Sequence, residues 1–236
     1  MWETFISMCK STPLFGVLLS VGSFYLGQFL FKKSHGFFLF APLFVAMISG
    51  IIFLVTTGIS FEEYNKGGQV ISFFLDPATV CFAIPLYKRR DVLKKYWVQI
   101  LGGLTLGSIA SILGIYAVAK FFHLSDTVIA SMLPQAATTA IAMPAAESVG
   151  GNGAITSLAC ILNAVIIYAL GKPLVKMFKL TDPVAKGIGL GTAGHSLGVS
   201  TAQDMGEVEA SMASIALVVV GIIVVIILPI LSAFLF

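Results

Sequence analysis

Residues 189–204 read GLGTAGHSLGVSTAQD and lie where the hydropathy of the flanking sequence indicates a membrane-spanning helix. The stretch contains four glycines, several hydroxyl side chains and His195. Glycine weakens a helix by about 1 kcal/mol relative to alanine, and an ionisable side chain is costly in lipid. The stretch is therefore predicted to be an interrupted span that faces protein or a water-filled cavity rather than lipid.

The chain as a whole is strongly apolar. Of its 236 residues 58% are hydrophobic and 11% charged, and the mean hydropathy is +0.99. Soluble domains carry about 25% charged residues, and several runs here approach the ~20 residues with which a helix crosses a bilayer. No alternating pattern of short strands suggests a barrel. The sequence predicts an all-α polytopic membrane protein whose first apolar run is retained rather than cleaved as a signal peptide.

Short loops separate the apolar segments, which predicts one transmembrane domain over residues 1–236. We expect about seven transmembrane helices and one re-entrant segment, with the polar residues around Glu62 and Glu63 in a loop. The apolar segments are 13–31, 39–58, 69–87, 96–119, 128–148, 154–171, 184–202 and 210–236.

Lysine and arginine predict the orientation, because cytoplasmic loops hold an excess of them. Basic residues cluster at 88–95 and again at 172–186, so both regions are assigned to the inside. The acidic residues Asp204, Glu207 and Glu209, which have no basic residue among them, are assigned to the outside.

This arrangement requires the segment 128–148 to enter and leave the membrane on one face. The sequence MLPQAATTAIAMPAAESVGGNG, residues 132–153, has two prolines around a small, threonine-containing middle and ends in glycines. A re-entrant hairpin explains this pattern, provided that its backbone is buried in protein or faces water. A proline-kinked span is the alternative.

An internal pattern appears when the sequence is shifted against itself by about 115 residues, the kind of internal symmetry expected of transporters. Residues 39–119 then align with 154–236, and each half has a helix, a polar loop, an interrupted span, a charged loop and a long helix. Three crossings per copy give the copies opposite orientations. The pattern predicts an inverted repeat with two broken helices, one around Asp76 and one around His195, and a site near the midplane.

The interrupted spans contain no lysine or arginine, so an anion there would be held by half-helix N-termini and hydroxyl groups. Such a site suits a small monocarboxylate, and a histidine could add a proton at mildly acid pH. The residues predicted to bind substrate are Thr79, Thr138, Thr139, His195, Ser196 and Ser200, and those predicted to couple a proton or ion are Asp76, Glu147 and His195.

Each assignment has a structural alternative. His195 could be satisfied by a neighbouring carbonyl group, Asp76 could be a helix N-cap, and Glu147 could lie at the membrane interface. The glycines of residues 187–198 also have GxxxG spacing, which lets membrane helices approach closely.

Other functional classes lack their signatures. GLGTAG, residues 189–194, matches a dinucleotide fingerprint without the strand that must precede it, and His195 next to Ser196 does not make a triad. Cys9, Cys81 and Cys160 are too far apart in sequence to indicate a zinc site or disulfide framework. A net charge of +3 without a basic stripe argues against nucleic-acid binding. We expect no enzyme activity, cofactor or metal.

Three blocks of sequence resemble the LrgB/CidB antiholin-like family, especially its Gram-positive LrgB branch. They are LPQAATTAIAMPAAE (133–147), ILNAVIIYALGKPLVKMFKLTDPVAKGIGLGTAGHSLG (161–198) and GEVEASMASIALVVVG (206–221). The resemblance implies a multi-pass protein of the bacterial plasma membrane that acts with an LrgA-type small holin-like protein to control murein hydrolase activity and cell lysis. Members of the family have also been assigned transport of pyruvate and glycolate.

Three functions compete. A secondary transporter of small monocarboxylates, working by alternating access, explains the interrupted spans and the repeat. A non-transporting regulator of holin-like proteins, acting through protein contacts, leaves the broken spans without a reason, and a pore component fits a many-span chain poorly. The sequence favours the transporter, and we expect it to form a homodimer.

Overall fold

The computed structural model describes residues 12–34, 36–74, 77, 80, 84, 87 and 90–236. The chain divides into two compact units, residues 1–81 and 82–236. Within the described residues the regular structure is helical. In this part of the chain four helices are long and apolar enough to cross a membrane, at Leu14–Lys33, Lys94–Phe121, Gly153–Met177 and Glu207–Leu235. The predicted all-α, multi-pass membrane class is confirmed.

The described residues 12–74 of the first unit form three α-helices and a short 3-10 helix. They are α1 (Leu14–Lys33), the 3-10 helix Phe38–Phe40, α2 (Pro42–Thr57) and α3 (Phe61–Ser72). Helix α1 packs against both α2 and α3. A Cβ atom on Gly16 would overlap the carbonyl oxygen of Tyr64, so glycine allows this close approach of α1 and α3.

Helix α3 occupies residues that the sequence analysis assigned to a loop. A capping box begins it: the Ser60 hydroxyl accepts from the Glu63 N–H at 3.2 Å, and the Glu63 carboxylate accepts from the Ser60 N–H at 2.9 Å. The loop prediction was wrong, although Ser-x-x-Glu is the sequence signature of a capping box.

Residues 90–236 of the second unit form six helices. They are α4 (Arg90–Phe121), α5 (Asp126–Met132), α6 (Thr139–Ser148), α7 (Gly153–Met177), α8 (Pro183–Gln203) and α9 (Glu207–Leu235). Helix α9 lies at the centre and packs against α4, α6 and α8. Its buried residues Val220 and Val224 meet Ile112, Ile129 and Leu133 in one apolar cluster.

Helices α5 and α6 form a hairpin. Their 7 and 10 residues reach about 10 and 15 Å, whereas the hydrocarbon core of a bilayer is about 30 Å thick. The Asn152 N–H after α6 donates to the Ser131 hydroxyl of α5 at 2.7 Å, so the chain between these residues leaves and returns. The structure agrees with a re-entrant hairpin rather than a kinked span.

Helix α8 is also a hairpin, because it reverses at His195, whose φ is 48° and ψ −130°. A Cβ atom on Gly198 would overlap the carbonyl oxygen of Leu190, and one on Gly171 would contact both Leu190 and Thr201. Leu190 and Thr201 would be about 16 Å apart along a straight helix. Residues 183–194 and 196–203 are therefore two arms, about 18 and 12 Å long, and neither crosses a bilayer.

Both ends of α8 lie on one face of the unit. Lys172 Nζ is 2.8 Å from Asp204 Oδ2, and Lys186 Nζ is 3.7 Å from Glu209 Oε1. The prediction that these acids lie on the side opposite the lysines is wrong. Aspartate and glutamate contribute little to membrane orientation, so the absence of basic residues at 204–209 carried no information about sides. We call this surface, residues 172–186 and 203–209, the lysine face.

One arrangement, a hairpin followed by a long helix, occurs twice in the second unit with opposite directions. The first copy is hairpin α5–α6 with helix α7, and the second is hairpin α8 with helix α9. Helix α7 runs toward the lysine face, and α9 runs away from it to Leu235, whose carbonyl accepts from the Tyr116 hydroxyl at 2.8 Å. Because α8 reverses, residues 154–236 contain two membrane crossings rather than the predicted three. The distribution of charged residues therefore no longer supports the predicted repeat of 39–119 in 154–236. Its pairing of 69–87 with 184–202 includes residues outside the described part of the chain, Asp76 among them, and stays a prediction.

Cysteine labelling will check the reversal of α8. In a variant with Cys9, Cys81 and Cys160 replaced by alanine, we expect Lys176→Cys and Glu207→Cys to react with an impermeant maleimide from the same side of the membrane. The control Asp126→Cys, at the start of α5, should react from the other side. Labelling of positions 176 and 207 from opposite sides would mean that α8 crosses the bilayer.

Candidate functional site

The two hairpins meet at their tips. The His195 Nε2 atom lies 2.7 Å from the carbonyl oxygen of Gln135, in the turn between α5 and α6. A carbonyl oxygen can only accept, so Nε2 carries a proton and donates it, which leaves Nδ1 as the acceptor of the neutral ring. His195 is 5% exposed. A buried hydrogen bond therefore joins hairpins that enter from opposite faces.

Asn163, in the middle of α7, connects the same two tips. Its Nδ2 atom donates to the carbonyl oxygen of Ala193 in α8 at 2.7 Å and to that of Gln135 at 3.4 Å. Two side-chain donors thus satisfy carbonyl groups that the broken helices leave without helical partners. We call His195, Gln135, Asn163 and Ala193 the tip contact.

The backbone at His195 is strained. Its φ of 48° and ψ of −130° mirror the first central residue of a type II turn, a conformation that glycine usually provides. A non-glycine residue held there costs about 1–3 kcal/mol. The preceding residue is a glycine, and a Cβ atom on Gly194 would lie 2.5 Å from the Cγ2 atom of Ile167, which is a clash. A glycine at position 195 would adopt this backbone conformation with less strain, yet the sequence has a histidine there.

Thr138 immediately precedes α6 and lies three residues from Gln135. A threonine at this position normally accepts from the first turn of its helix, but Thr138 makes no such bond. Its Oγ1 atom is buried and has no hydrogen-bond partner among the described residues. The buried Cys160 thiol nearby donates to the carbonyl oxygen of Ala137 at 3.6 Å. A free hydroxyl group therefore lies close to the tip contact, where a ligand or water could satisfy it.

Two cavities reach residues of the tip contact. One of about 520 Å³ lies between α4 and α5 and reaches Gln135; its lining includes Val118, Phe122, Leu124 and Met132. The other, of about 150 Å³, lies between α7 and α8 and reaches Ala193. Each cavity therefore has one residue of the tip contact in its lining.

The predicted site residues have different positions. His195 is in the tip contact, and Thr138 and Thr139 are at the start of α6. Ser196 is exposed and Ser200 partly buried, both on the second arm of α8.

Of the residues predicted to couple a proton or ion, His195 lies in the tip contact and Glu147 does not. Glu147 is exposed near the far end of α6, where its carboxylate lies against Gly153 at the start of α7. This position is about 12 Å along the helix from Thr139. Asp76 and Thr79 lie outside the described residues. No group of three or more potential metal ligands occurs in the described part of the chain.

Sequence reasoning missed Asn163 and the carbonyl group of Gln135. Asn163 had a visible signal, since it is the one amide in the apolar run ILNAVIIYAL, and asparagine in a membrane helix commonly bonds to a neighbouring helix. The carbonyl oxygens that Asn163 bonds to gave no such signal in the sequence. They are backbone atoms, and two separate reversals of the chain bring them together.

These features define an α-helical, multi-pass membrane protein in which two oppositely directed helical hairpins meet at a buried polar contact. Comparison with known proteins identifies the family. The LrgB-like family matches residues 20–234, so the chain belongs to that family.

Curated relatives match nearly the full length of the chain. Antiholin-like protein LrgB of Bacillus subtilis (strain 168) is 56% identical over 219 residues, which cover 93% of this chain and 95% of the relative. Antiholin-like protein LrgB of Bacillus mycoides (strain KBAB4) is 58% identical over 223 residues, which cover 94% and 97%. No solved structure matches the chain.

Proposed function

We propose that this protein is a secondary transporter of small monocarboxylates of the pyruvate and glycolate class, and that transport underlies an antiholin-like effect on lysis. The observation that carries the proposal is the tip contact, where His195 and Asn163 join two opposed hairpins and where the two joined residues, Gln135 and Ala193, each line a cavity. Opposed broken helices with a site between them are the architecture through which secondary transporters alternate access.

The chemistry of the tips favours an anion. The C-terminal carbonyl groups of Gln135 and Ala193 are occupied by side-chain donors. The amide N–H groups at the starts of α6 and of residues 196–203 lack intrahelical partners and can donate to a ligand. The free hydroxyl of Thr138 adds a further donor.

The charge at the tips favours a single carboxylate. Residues 131–142 and 189–201 contain one ionisable side chain, His195. A helix N-terminus is equivalent to roughly half a positive charge, and the helix C-terminus at each tip offsets part of it. This is too little for a phosphate or dicarboxylate and suits a monoanion that brings a proton to Nδ1 of His195.

The names of the relatives support a role in lysis, which we assign to a complex with an LrgA-type small holin-like partner. A regulator that acts only through protein contacts would account for those names. It would not account for a buried polar contact between two opposed hairpin tips that cavities reach, which is the reason that we favour transport.

Uptake by proteoliposomes tests the proposal. We expect vesicles containing the purified protein, alone or with an LrgA-type partner, to take up labelled pyruvate or glycolate saturably and to show counterflow from vesicles preloaded with unlabelled acid. Stimulation by a proton gradient would identify the coupling ion. Uptake no greater than that of empty vesicles, for C2 to C4 acids with and without a gradient, would refute transport and leave the regulator.

A further inference from the structure

A cavity of about 470 Å³ opens on the lysine face between the end of α7 and the two ends of α8. Its lining includes the side chains of Lys172, Lys176, Lys179, Thr181, Lys186 and Asp204. We call this cavity the lysine pocket.

The lysine pocket carries more positive than negative charge. Lys172 is paired with Asp204 at 2.8 Å and Lys186 with Glu209 at 3.7 Å. Among the described residues, the other two lysines, at positions 176 and 179, have no carboxylate within ion-pairing distance. The pocket therefore has two ammonium groups whose charge the described protein does not balance.

Lys179 has a backbone conformation that glycine would adopt at less cost. Its φ is 52°, and it terminates α7 with the bonds Lys179 N–H to Lys176 O at 3.1 Å and Leu180 N–H to Val175 O at 3.0 Å. This is the C-cap position at which glycine predominates. The sequence places a charged side chain there instead, at the mouth of a cavity that is already basic.

The lysine pocket adjoins the cavity that reaches Ala193 at the tip contact. Val175, Leu180 and Lys186 line both this pocket and the 150 Å³ cavity that reaches Ala193. A solute in the lysine pocket is therefore next to the cavity that ends at the tip contact.

We propose that the lysine pocket binds small soluble anions, carboxylates above all, and supplies them to the site between the hairpin tips. The inference rests on the proposed function for the second step, while binding in the pocket stands on its own. Lysine ammonium groups attract carboxylate and phosphate as point charges, and salt screens that attraction.

A chemical probe measures the potential in the pocket without requiring transport. In the variant without native cysteines, Thr181→Cys is modified with methanethiosulfonates of similar size, one anionic and one cationic. We expect the anionic reagent to react faster at low salt, and the ratio of the two rates to fall roughly twofold to fivefold in Lys179→Gly, the range for one exposed charge pair.

The matched control is His123→Gly. His123 ends α4 with a φ of 53° and the same pair of capping bonds, but it lies at the other end of the unit. Both substitutions place glycine where it is favoured, so neither should impair folding. His123→Gly should leave the rate ratio unchanged. An equal ratio in Lys179→Gly and the parent would overturn the proposal.

Protection experiments identify the occupant. In nanodiscs of phosphatidylcholine, we expect pyruvate to slow the modification of Thr181→Cys more than chloride at equal ionic strength does. Protection that appears only when phosphatidylglycerol is added would show that a lipid headgroup fills the pocket, and the absence of any protection would show that nothing binds. Either result overturns the proposal.

Transport kinetics test the connection to the tips. Lys179→Gly should raise the KM for pyruvate roughly twofold to fivefold at low salt with an unchanged maximal rate, and the difference should shrink as salt is added. An unchanged KM in an active transporter overturns the supply step alone. Pocket protection without any uptake would refute the proposed function while the pocket remained an anion site.

Discussion

Uptake of pyruvate or glycolate is expected to be abolished both by His195→Ala and by His195→Gly, although the two variants should differ in stability. Both lose the imidazole donor to the Gln135 carbonyl, which keeps a partner in Asn163 at 3.4 Å. Alanine is held in the strained conformation and glycine is not. We expect His195→Gly to be more stable by about 1–2 kcal/mol, after allowing for the entropy of glycine. Thermal unfolding in detergent and uptake by proteoliposomes measure the two effects.

Comparison of His195→Ala with His195→Gly distinguishes the effect of the backbone conformation at this residue from the effect of its side chain. Uptake retained by His195→Gly alone would mean that only the reversal of the chain matters, and that the histidine serves no purpose beyond its carbonyl bond. Equal stability of the two variants would contradict the positive φ at this residue. Uptake retained by both would remove His195 from the site.

His195→Gln addresses the role of the proton. A glutamine can donate an N–H to the Gln135 carbonyl but cannot titrate. If His195 only joins the two tips, this variant should transport nearly as the parent does. If Nδ1 carries the coupled proton, the variant should exchange labelled for unlabelled acid while losing stimulation by a proton gradient.

Hydropathy predicted two long helices of the second unit closely. The apolar run at 154–171 corresponds to α7 and the run at 210–236 to α9, with ends that differ by one to six residues. The predicted span at 184–202 is instead the hairpin α8, so that part of the predicted seven spans was wrong. The interruption of α8 was also predictable, since glycine, histidine and hydroxyl groups make poor contact with lipid.

The reversal within α8 could not be predicted in the same way. A straight helix over Pro183–Gln203 would be about 31 Å long, enough to cross a bilayer, and both readings have the same composition. The difference lies in the φ and ψ of one residue that is not glycine. The tip contact escaped prediction for a related reason, because its acceptors are backbone atoms that every residue possesses.

Two glycines of α8 distinguish a hairpin from a straight helix. A Cβ atom on Gly198 would overlap the carbonyl oxygen of Leu190 on the other arm, whereas one on Gly189 would meet nothing within 4 Å. Backbone atoms cannot move aside as a flexible side chain can. We therefore expect Gly198→Ala to destabilise the protein by about 3 kcal/mol or more and to abolish uptake.

Gly189→Ala, the matched control, should stabilise the protein by roughly 0.5–1 kcal/mol, because alanine is the better helix former and the position has room for a methyl group. Unfolding in detergent gives both values. A straight α8 would separate residues 190 and 198 by about 12 Å, and alanine at position 198 would then be as well tolerated as at 189. A hairpin therefore predicts that the same glycine-to-alanine change lowers the free energy of unfolding at position 198 and raises it at position 189.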